Sequence, residues 1–270
     1  MNEAIYKNIK SLPPLDDTVV QIQRVCQDEN SNLSDLVAIV ERDPMLTANI
    51  LHSANSPLYG FSREISTIQQ AVNLFGMATI RGFALYGAVK KSFNIDLSPY
   101  RIRTSDFLSV VTSQNILAFN WYGKVDRSML VVLAPTSFMM EVGKIVIAKE
   151  LLETGKVEEF KSGLEKISTP SELSDLERSI LDVTNEEVTA KIFEQWNLES
   201  EMVDSIYFSN TPDDAPEHIK PCATALKIIK NAINVFGVLT EENINRTLVL
   251  LDTYGFEQGK FMEAVQKVKG

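Results

Sequence analysis

The sequence predicts an all-α fold. Apolar residues recur at helical spacing, three or four positions apart, along almost the whole chain. Segments that alternate between apolar and polar residues and are bounded by turn-forming pairs, which would indicate β-hairpins, are missing from the pattern. The 270 residues are 44% hydrophobic, which is enough to fill a large core without disulfides or metal ions. We therefore expect many helices, arranged in one large or two modest domains.

The first clear helices are predicted between residues 33 and 55. An apolar stripe at helical spacing is formed by Leu33, Leu36, Val37 and Val40. Asp43 can cap the next helix, with Pro44 at its first position, where a missing N–H costs nothing. Ser56 precedes Pro57 and is therefore pushed out of the α region, so this helix is expected to end near Asn55.

A long apolar segment follows. Thr67 is placed to cap a helix, and Gly76 is placed to end it in a left-handed conformation. A second apolar helix is predicted over residues 77–93. Within it, Gly82 and Gly87 would let a neighbouring helix approach closely.

The rest of the chain continues the helical pattern. Residues 94–105 form the best candidate linker, because they combine a proline, turn formers and a break in the periodicity. Helices are then predicted in FLSVVTSQNILAFNW, SMLVVLAP, SFMMEVGKIVIAKELL, STPSELSDLERSILDV, NEEVTAKIFEQW and SEMVDSIYF, and three closing helices around CATALKIIKNAINVF, EENINRTLVLLD and EQGKFMEAVQKV. We divide the chain accordingly into an N-terminal half, 1–97, a second helical half, 98–211, and closing helices, 212–270.

Composition disfavours several classes of function. The net charge is −10 and the pI is near 4.9, so the overall field repels nucleic acid and anionic lipid. The N-terminus is charged, and no run of apolar residues approaches the length of a membrane span. Cys26 and Cys222 are far apart and lack metal-type spacing. These features predict a cytoplasmic protein in a reducing compartment, with no membrane contact.

The common catalytic patterns are absent from the sequence. The chain has only His52 and His218, whereas a helical di-metal hydrolase needs several imidazoles and carboxylates. There is no G-x-S-x-G elbow, and GFEQGK at 255–260 lacks the spacing and the closing Ser or Thr of a phosphate loop. Acidic pairs such as Glu186 and Glu187 are interpreted as solvated helix faces.

Three runs in the N-terminal half resemble a known family. LPPLDDTVVQIQRV, LSDLVAIVERDPMLTANILHSANSPLYG and ISTIQQAVNLFGMATIRGFAL look like the opening of an HDOD domain, an output-type relative of the HD phosphohydrolases found in bacterial signalling proteins. The residues in family order and spacing are Asp43, Pro44, Leu46, Asn55, Ser56, Ile68, Ala71, Gly76 and Arg81. The resemblance continues more weakly to about Asn210, and it implies a multi-helix bundle like that of HD domains.

The same resemblance places the metal ligands of HD proteins on this chain. The counterpart of FMMEVGK, 138–144, carries adjacent His and Asp ligands in metal-binding relatives, where this chain has Met140 and Glu141. The other ligand positions fall at or near Thr112, Asn185, Ser209, Asn210 and Leu226. Only Glu141 could still coordinate a cation, and one carboxylate cannot hold a catalytic metal. The resemblance thus implies a degenerate metal site without cofactor or catalysis, in which FMMEVGK is an ordinary core helix.

The motif of the N-terminal half leaves two interpretations open. Its polar residues are helix caps and local hydrogen-bond formers, or they belong to a recognition surface in which loop aromatics act as interface anchors. The candidate recognition residues are Asp43, Pro44, Asn55, Ser56, Tyr59, Phe61, Gly76 and Arg81.

Three functional hypotheses follow. The first is a non-catalytic bacterial signal-transduction module that binds a signalling protein, with modulation by a small molecule left open. The second is a residual metal-dependent phosphohydrolase acting on a nucleotide or cyclic dinucleotide. The third is a nucleotide-binding sensor that uses Arg81, Lys90 and Lys91, although the net charge of −10 disfavours it. The sequence favours the first hypothesis, but it does not identify the partner.

Overall fold

The computed structural model describes residues 2–59, 61 and 63–269, and these residues are mostly helical. The helices are α1 Glu3–Lys10, α2 Asp17–Gln27, α3 Leu33–Val40, α4 Pro44–Ala54, α5 Ile68–Ser92, α6 Thr104–Val125, α7 Leu130–Met139, α8 Gly143–Glu153, α9 Val157–Leu164, α10 Pro170–Leu181, α11 Asn185–Gln195, α12 Ser200–Tyr207, α13 Lys220–Ala232, α14 Glu241–Thr253 and α15 Gln258–Lys269. Two short strands, β1 Ile233–Asn234 and β2 Gly237–Val238, pair antiparallel. The predicted all-α fold is confirmed.

The caps predicted for the N-terminal half are present. Asp43 Oδ1 accepts a hydrogen bond from the Leu46 N–H at 2.9 Å, and Pro44 is the first residue of α4. Asn55 is the C-cap of the same helix. Thr67 caps α5 by accepting from the Gln70 N–H at 3.1 Å. These boundaries follow from local side-chain chemistry, which is why the sequence was sufficient to place them.

The two apolar helices predicted around Gly76 are joined end to end in α5. Gly76 has φ +75° and ψ 167°, so the helix kinks there. At Gly82, a Cβ would lie 3.2 Å from Cα of Pro135, and α7 therefore packs closely against this position, as expected. A Cβ at Gly87 would have no neighbour within 4 Å. The close approach predicted at Gly87 is wrong, because this residue faces a surface groove between α4 and α5.

Two other predicted helices have different boundaries. Pro135 lies inside α7, which continues to Met139, and the chain turns at 140–142 before α8 begins. FMMEVGK is therefore a junction between two helices, and the prediction of one continuous core helix is wrong. The predicted helix CATALKIIKNAINVF stops at Ala232, and its last residues enter the β1–β2 hairpin, where Asn234 Oδ1 accepts from the Phe236 N–H at 2.9 Å.

One hydrophobic core contains residues from all three predicted segments. It extends from Ile5 in α1 to Val268 in α15. The predicted linker is packed against this core, with Leu97 and Tyr100 buried. The second helical half is consequently held in a fixed position relative to the first.

Two helical stretches, Ile68–Ser92 and Arg127–Glu153, are long and apolar enough for a membrane span, contrary to the sequence expectation. Their most apolar windows are 61% and 89% buried inside the fold. Such burial is typical of core helices in soluble proteins. Cys26 and Cys222 are free thiols.

Candidate functional site

The candidate site lies at the junction between α7 and α8, which is held together by side chains of α11. Asn185 Nδ2 donates to the Met140 carbonyl at 2.8 Å, and Asn185 Oδ1 accepts from the Lys144 N–H at 3.0 Å. Thr189 Oγ1 accepts from the Gly143 N–H at 2.9 Å. The bonds to the Met140 carbonyl and the Gly143 N–H satisfy backbone groups at the break in the helix, whereas the Lys144 N–H also donates to the Glu141 carbonyl at 3.1 Å.

Gly143 allows α11 to come this close. A Cβ at this position would lie 2.4 Å from the backbone oxygen of Asn185 and 2.8 Å from Thr189 Oγ1. Only glycine fits between the two helices here, because atoms at such distances overlap.

Five ionisable side chains meet beside this junction, and we call them the buried charge cluster. They are Glu141, Lys144, Glu177, Glu186 and Lys230, and each is at most 4% exposed. Lys144 Nζ lies 2.7 Å from Glu141 Oε2 and 3.8 Å from Glu177 Oε1. Lys230 forms an ion pair with Glu186, and its Nζ lies 4.0 Å from Glu141 Oε2. Three carboxylates thus surround two ammonium groups.

Neutral groups also donate hydrogen bonds to the three carboxylates. Gln114 Nε2 donates to Glu141 Oε1 at 3.0 Å, and Ser174 Oγ donates to Glu186 Oε2 at 3.0 Å. Glu177 accepts from the Tyr100 hydroxyl at 2.8 Å and from the Asn185 N–H at 2.7 Å. Buried charges are tolerated when they are paired and hydrogen-bonded in this way.

The pKa values of the three carboxyl groups in the cluster are shifted in different directions. Burial alone would raise the pKa of Glu186, but the ammonium groups of Lys230 and Lys144 outweigh burial and lower the pKa to about 2. The same balance of burial against Lys144 and Lys230 lowers the pKa of Glu141. Burial prevails at Glu177, whose pKa is raised. Glu186 and Glu141 are consequently anions at neutral pH and hold the two lysines.

The residues at this position do not fit a divalent cation. Oε2 of Glu141, the only carboxylate among the inferred ligand positions, has two ammonium groups within 4.0 Å. An entering cation would be repelled by both lysines. Across residues 2–59, 61 and 63–269, no group of three or more His, Cys, Asp or Glu side chains is arranged to hold a metal ion.

The structure brings together only some of the positions inferred for metal ligands. Met140, Glu141 and Asn185 meet at the junction. Thr112 instead lines a surface pocket beside α4, and Leu226 is packed in the hydrophobic core. Ser209 donates to the Ile206 carbonyl, and Asn210 accepts from Ser171.

Two other residues of the same helices reach the cluster instead. The residue of α6 that reaches Glu141 is Gln114, two positions after Thr112 and on a different face of the helix. The residue of α13 that reaches the cluster is Lys230, one turn after Leu226. Both helices were identified, but the residue facing the site was not.

Polar residues of the motif connect described residues on either side of the loop after α4. Asn55 donates to the carbonyls of Leu51 and Ile65 at 2.9 and 2.8 Å and accepts from the Ile65 N–H at 2.8 Å. The Tyr59 hydroxyl donates to Asn115 Oδ1 at 2.9 Å, and burial raises the pKa of its phenol. Tyr59 is therefore an internal anchor and not an exposed aromatic. Phe61 is 42% exposed, as a recognition residue requires.

Arg81 does not belong to a surface. It is 1% exposed, forms an ion pair with Glu199, and approaches Met202 Sδ to 3.1 Å. Its role is to tie α5 to the α12 region. The structure therefore removes Arg81 from the candidate recognition residues and from the cations available to a nucleotide.

A family model for the HDOD domain matches residues 12–212. The chain belongs to the HDOD family. The match covers the N-terminal half, the α7–α8 junction and α11, so the resemblance seen in the sequence is confirmed. The candidate site lies mostly inside the matched region, and Lys230 is contributed by the helix that follows it.

Solved structures with this fold cover nearly the whole chain. A virulence factor from Campylobacter jejuni subsp. jejuni is 28% identical, with a TM-score of 0.60 over 99% of this chain and 95% of that chain. An HDOD domain protein of unknown function from Geobacter sulfurreducens is 17% identical, with a TM-score of 0.63 over 98% and 97%. The second likeness shows the fold alone.

The chain spans about half the length of the curated relative it matches. That relative is an uncharacterized protein of Treponema pallidum (strain Nichols), 24% identical over 259 residues, which are 91% of this chain and 47% of the relative.

Four of the five cluster residues were missed or misread in the sequence. Glu186 was interpreted as solvated, yet it is 2% exposed. Glu177 carried no signal, because Tyr100 and Lys144 come from distant parts of the chain. Lys144 was not noticed, although Glu141, its closest partner, lies only three residues before it. Lys230 could have been noticed, since it shares a face of α13 with the apolar residues Ala223 and Leu226. A lysine on a core-facing stripe indicates a buried acidic partner.

Proposed function

We propose that this HDOD protein is a non-catalytic cytoplasmic signalling module that acts by binding another protein. One observation supports the first part of the proposal: Glu141, the only carboxylate among the inferred ligand positions, faces the ammonium groups of Lys144 and Lys230. A metal-dependent hydrolase needs a Lewis acid with a position open for water. Two lysines fixed by three carboxylates supply neither. The signalling part is supported by membership of the HDOD family, whose model matches residues 12–212.

The absence of metal-dependent hydrolysis is tested by metal content and turnover. Purified protein is loaded with manganese, iron or zinc, desalted, and measured by elemental analysis. We expect a metal-to-protein ratio near zero and no hydrolysis of nucleotide or cyclic dinucleotide phosphoesters, because both lysines repel the cation. Near-stoichiometric metal that is lost in Glu141→Gln would contradict the proposal. A catalytic HD phosphohydrolase taken through the same loading serves as the positive control.

Protein binding is proposed to use the loop after α4. The ring of Phe61 is partly exposed, while its contacts with Tyr59 and Phe75, at centroid distances of 6.1 and 5.6 Å, hold it in a defined position. A partly exposed aromatic side chain that is already ordered loses little conformational entropy when a partner covers it. This combination is typical of an interface anchor.

Substitution of Phe61 tests this surface. Wild-type protein is expected to retain specific proteins from extract of the source cells, and Phe61→Ser is expected to lose them at least about tenfold, the effect of a single anchor residue. Val249→Ser on α14, at a site that is 65% exposed, is the matched control and should retain the same proteins. Equal retention by Phe61→Ser and wild type would refute a role for this loop.

A further inference from the structure

A pocket of about 440 Å³ lies between the C-terminal end of α4 and the first turns of α6. Hydroxyl groups make up much of its polar lining. The residues that line it are His52, Ser53, Asn55, Ser56, Pro57, Leu58, Ser105, Leu108, Ser109 and Thr112. Its volume is within the range of small-molecule sites, which is roughly 300–1,000 Å³. The pocket is on a different face of α6 from Gln114 and is separate from the buried charge cluster.

Thr112 is the most informative residue of this pocket. It is only 6% exposed, and within the described part of the chain its hydroxyl has no hydrogen-bond partner. Its oxygen is not sealed in the core but borders the pocket, so it can donate to and accept from a ligand there. The hydroxyls of Ser53, Ser56 and Ser109, which line the same pocket, likewise have no partner among the described residues. Four hydrogen-bonding groups thus converge on one space.

The lining also restricts the charge of a ligand. None of its ten residues is Asp, Glu, Lys or Arg. A phosphate or another anion would lose hydration there without gaining the permanent counter-charge of a lysine or an arginine. Each hydroxyl can both donate and accept, and Pro57, Leu58 and Leu108 provide apolar surface for the face of a ring. The chemistry therefore suits an uncharged ring with donors and acceptors at its edge.

We propose that this pocket binds an uncharged nucleoside-sized molecule through the hydroxyls of Ser53, Ser56, Ser109 and Thr112. The inference goes beyond the proposed function, because it concerns a small molecule and does not require a protein partner. Asn55 connects the pocket with the loop that carries Phe61. Its side chain forms hydrogen bonds with Ile65 at the far end of that loop, and Asn55 also lines the pocket.

The two histidines make a direct test feasible. His52 lines the pocket, whereas His218 lies in the loop before α13 and serves as an internal reference. The imidazole NMR signals of wild-type protein are followed while adenosine, guanosine, cytidine, uridine or thymidine is added. We expect at least one nucleoside to move the His52 signal saturably and leave the His218 signal in place. Ser109→Leu, which fills the pocket, should abolish the response.

Three outcomes would overturn the inference: no nucleoside moves the His52 signal, Ser109→Leu responds like wild type, or only the 5′-phosphates of these nucleosides bind. A second pair of variants tests, without a ligand, whether the Thr112 hydroxyl is free of hydrogen bonds within the folded protein. Thr112→Val should leave the melting temperature unchanged or raise it, because no bond is lost. Thr189→Val should lower it by several degrees, because the buried Gly143 N–H loses its acceptor. Equal decreases in the melting temperature of the two variants would show that the Thr112 hydroxyl has a hydrogen-bond partner within the protein.

Discussion

Replacing Gly143 with alanine is expected to lower the free energy of unfolding by about 2–4 kcal/mol, from overpacking and loss of buried hydrogen bonds. The new Cβ would lie 2.4 Å from the Asn185 backbone oxygen and 2.8 Å from Thr189 Oγ1. Relief of these overlaps requires α11 to move away from α8. That movement would break the bonds from Thr189 and Asn185 to the first two N–H groups of α8. Urea denaturation with two spectroscopic probes measures the loss.

Gly87→Ala is the matched control for this experiment. Gly87 also lies in a helix, but a Cβ there would have no neighbour within 4 Å. Alanine should therefore leave stability unchanged or raise it by about 0.5–1 kcal/mol, because it reduces the entropy of the unfolded chain. If Gly143→Ala were as stable as Gly87→Ala, the close contact between α8 and α11 would be wrong.

The sequence predicted features that depend on nearby residues. Asp43 and Thr67 cap helices whose first N–H groups lie two or three residues further along the chain, and Gly76 adopts a backbone conformation that other residues resist. The α7–α8 break could not be predicted in this way. It is stabilised by Asn185 and Thr189, more than forty residues away, and no local breaker ends α7 at Met139.

The candidate site was predicted in outline but not in its chemistry. The family resemblance led to Glu141 and Asn185, which do meet at the junction. On α6 the resemblance led to Thr112, whereas Gln114 is the residue that reaches Glu141, because residues two apart on a helix face different directions. The formal net charge did not indicate the buried charge cluster either, because it does not show that Glu141, Glu177 and Glu186 are buried around lysines.

Replacing Lys230 with methionine is expected to lower the free energy of unfolding by about 3–5 kcal/mol at pH 7, the usual cost of leaving a buried charge without its partner. Methionine fills most of the lysine volume but leaves Glu186 and Glu141 facing Lys144 alone. Urea denaturation provides the measurement.

Lys191→Met is the matched control, since Lys191 pairs with Glu194 at 2.6 Å on the surface, where loss of an ion pair costs about 0–1 kcal/mol. A second change, Glu186→Gln, should recover part of the loss in Lys230→Met.

The pH dependence of this loss separates an ion pair from simple packing. The pKa of Glu186 is lowered from 4.5 to about 2 in the folded protein. The stabilisation from its ionised form is therefore complete above pH 4.5 and is lost as the pH falls towards 2. In Lys230→Met the folded-state pKa of Glu186 should rise, so that protonation relieves the unpaired charge. The difference in stability between wild type and Lys230→Met should accordingly narrow between pH 7 and pH 3. A difference that stays constant would mean that Lys230 acts through its volume, and its ammonium group would then not be what holds the carboxylates of this HDOD site.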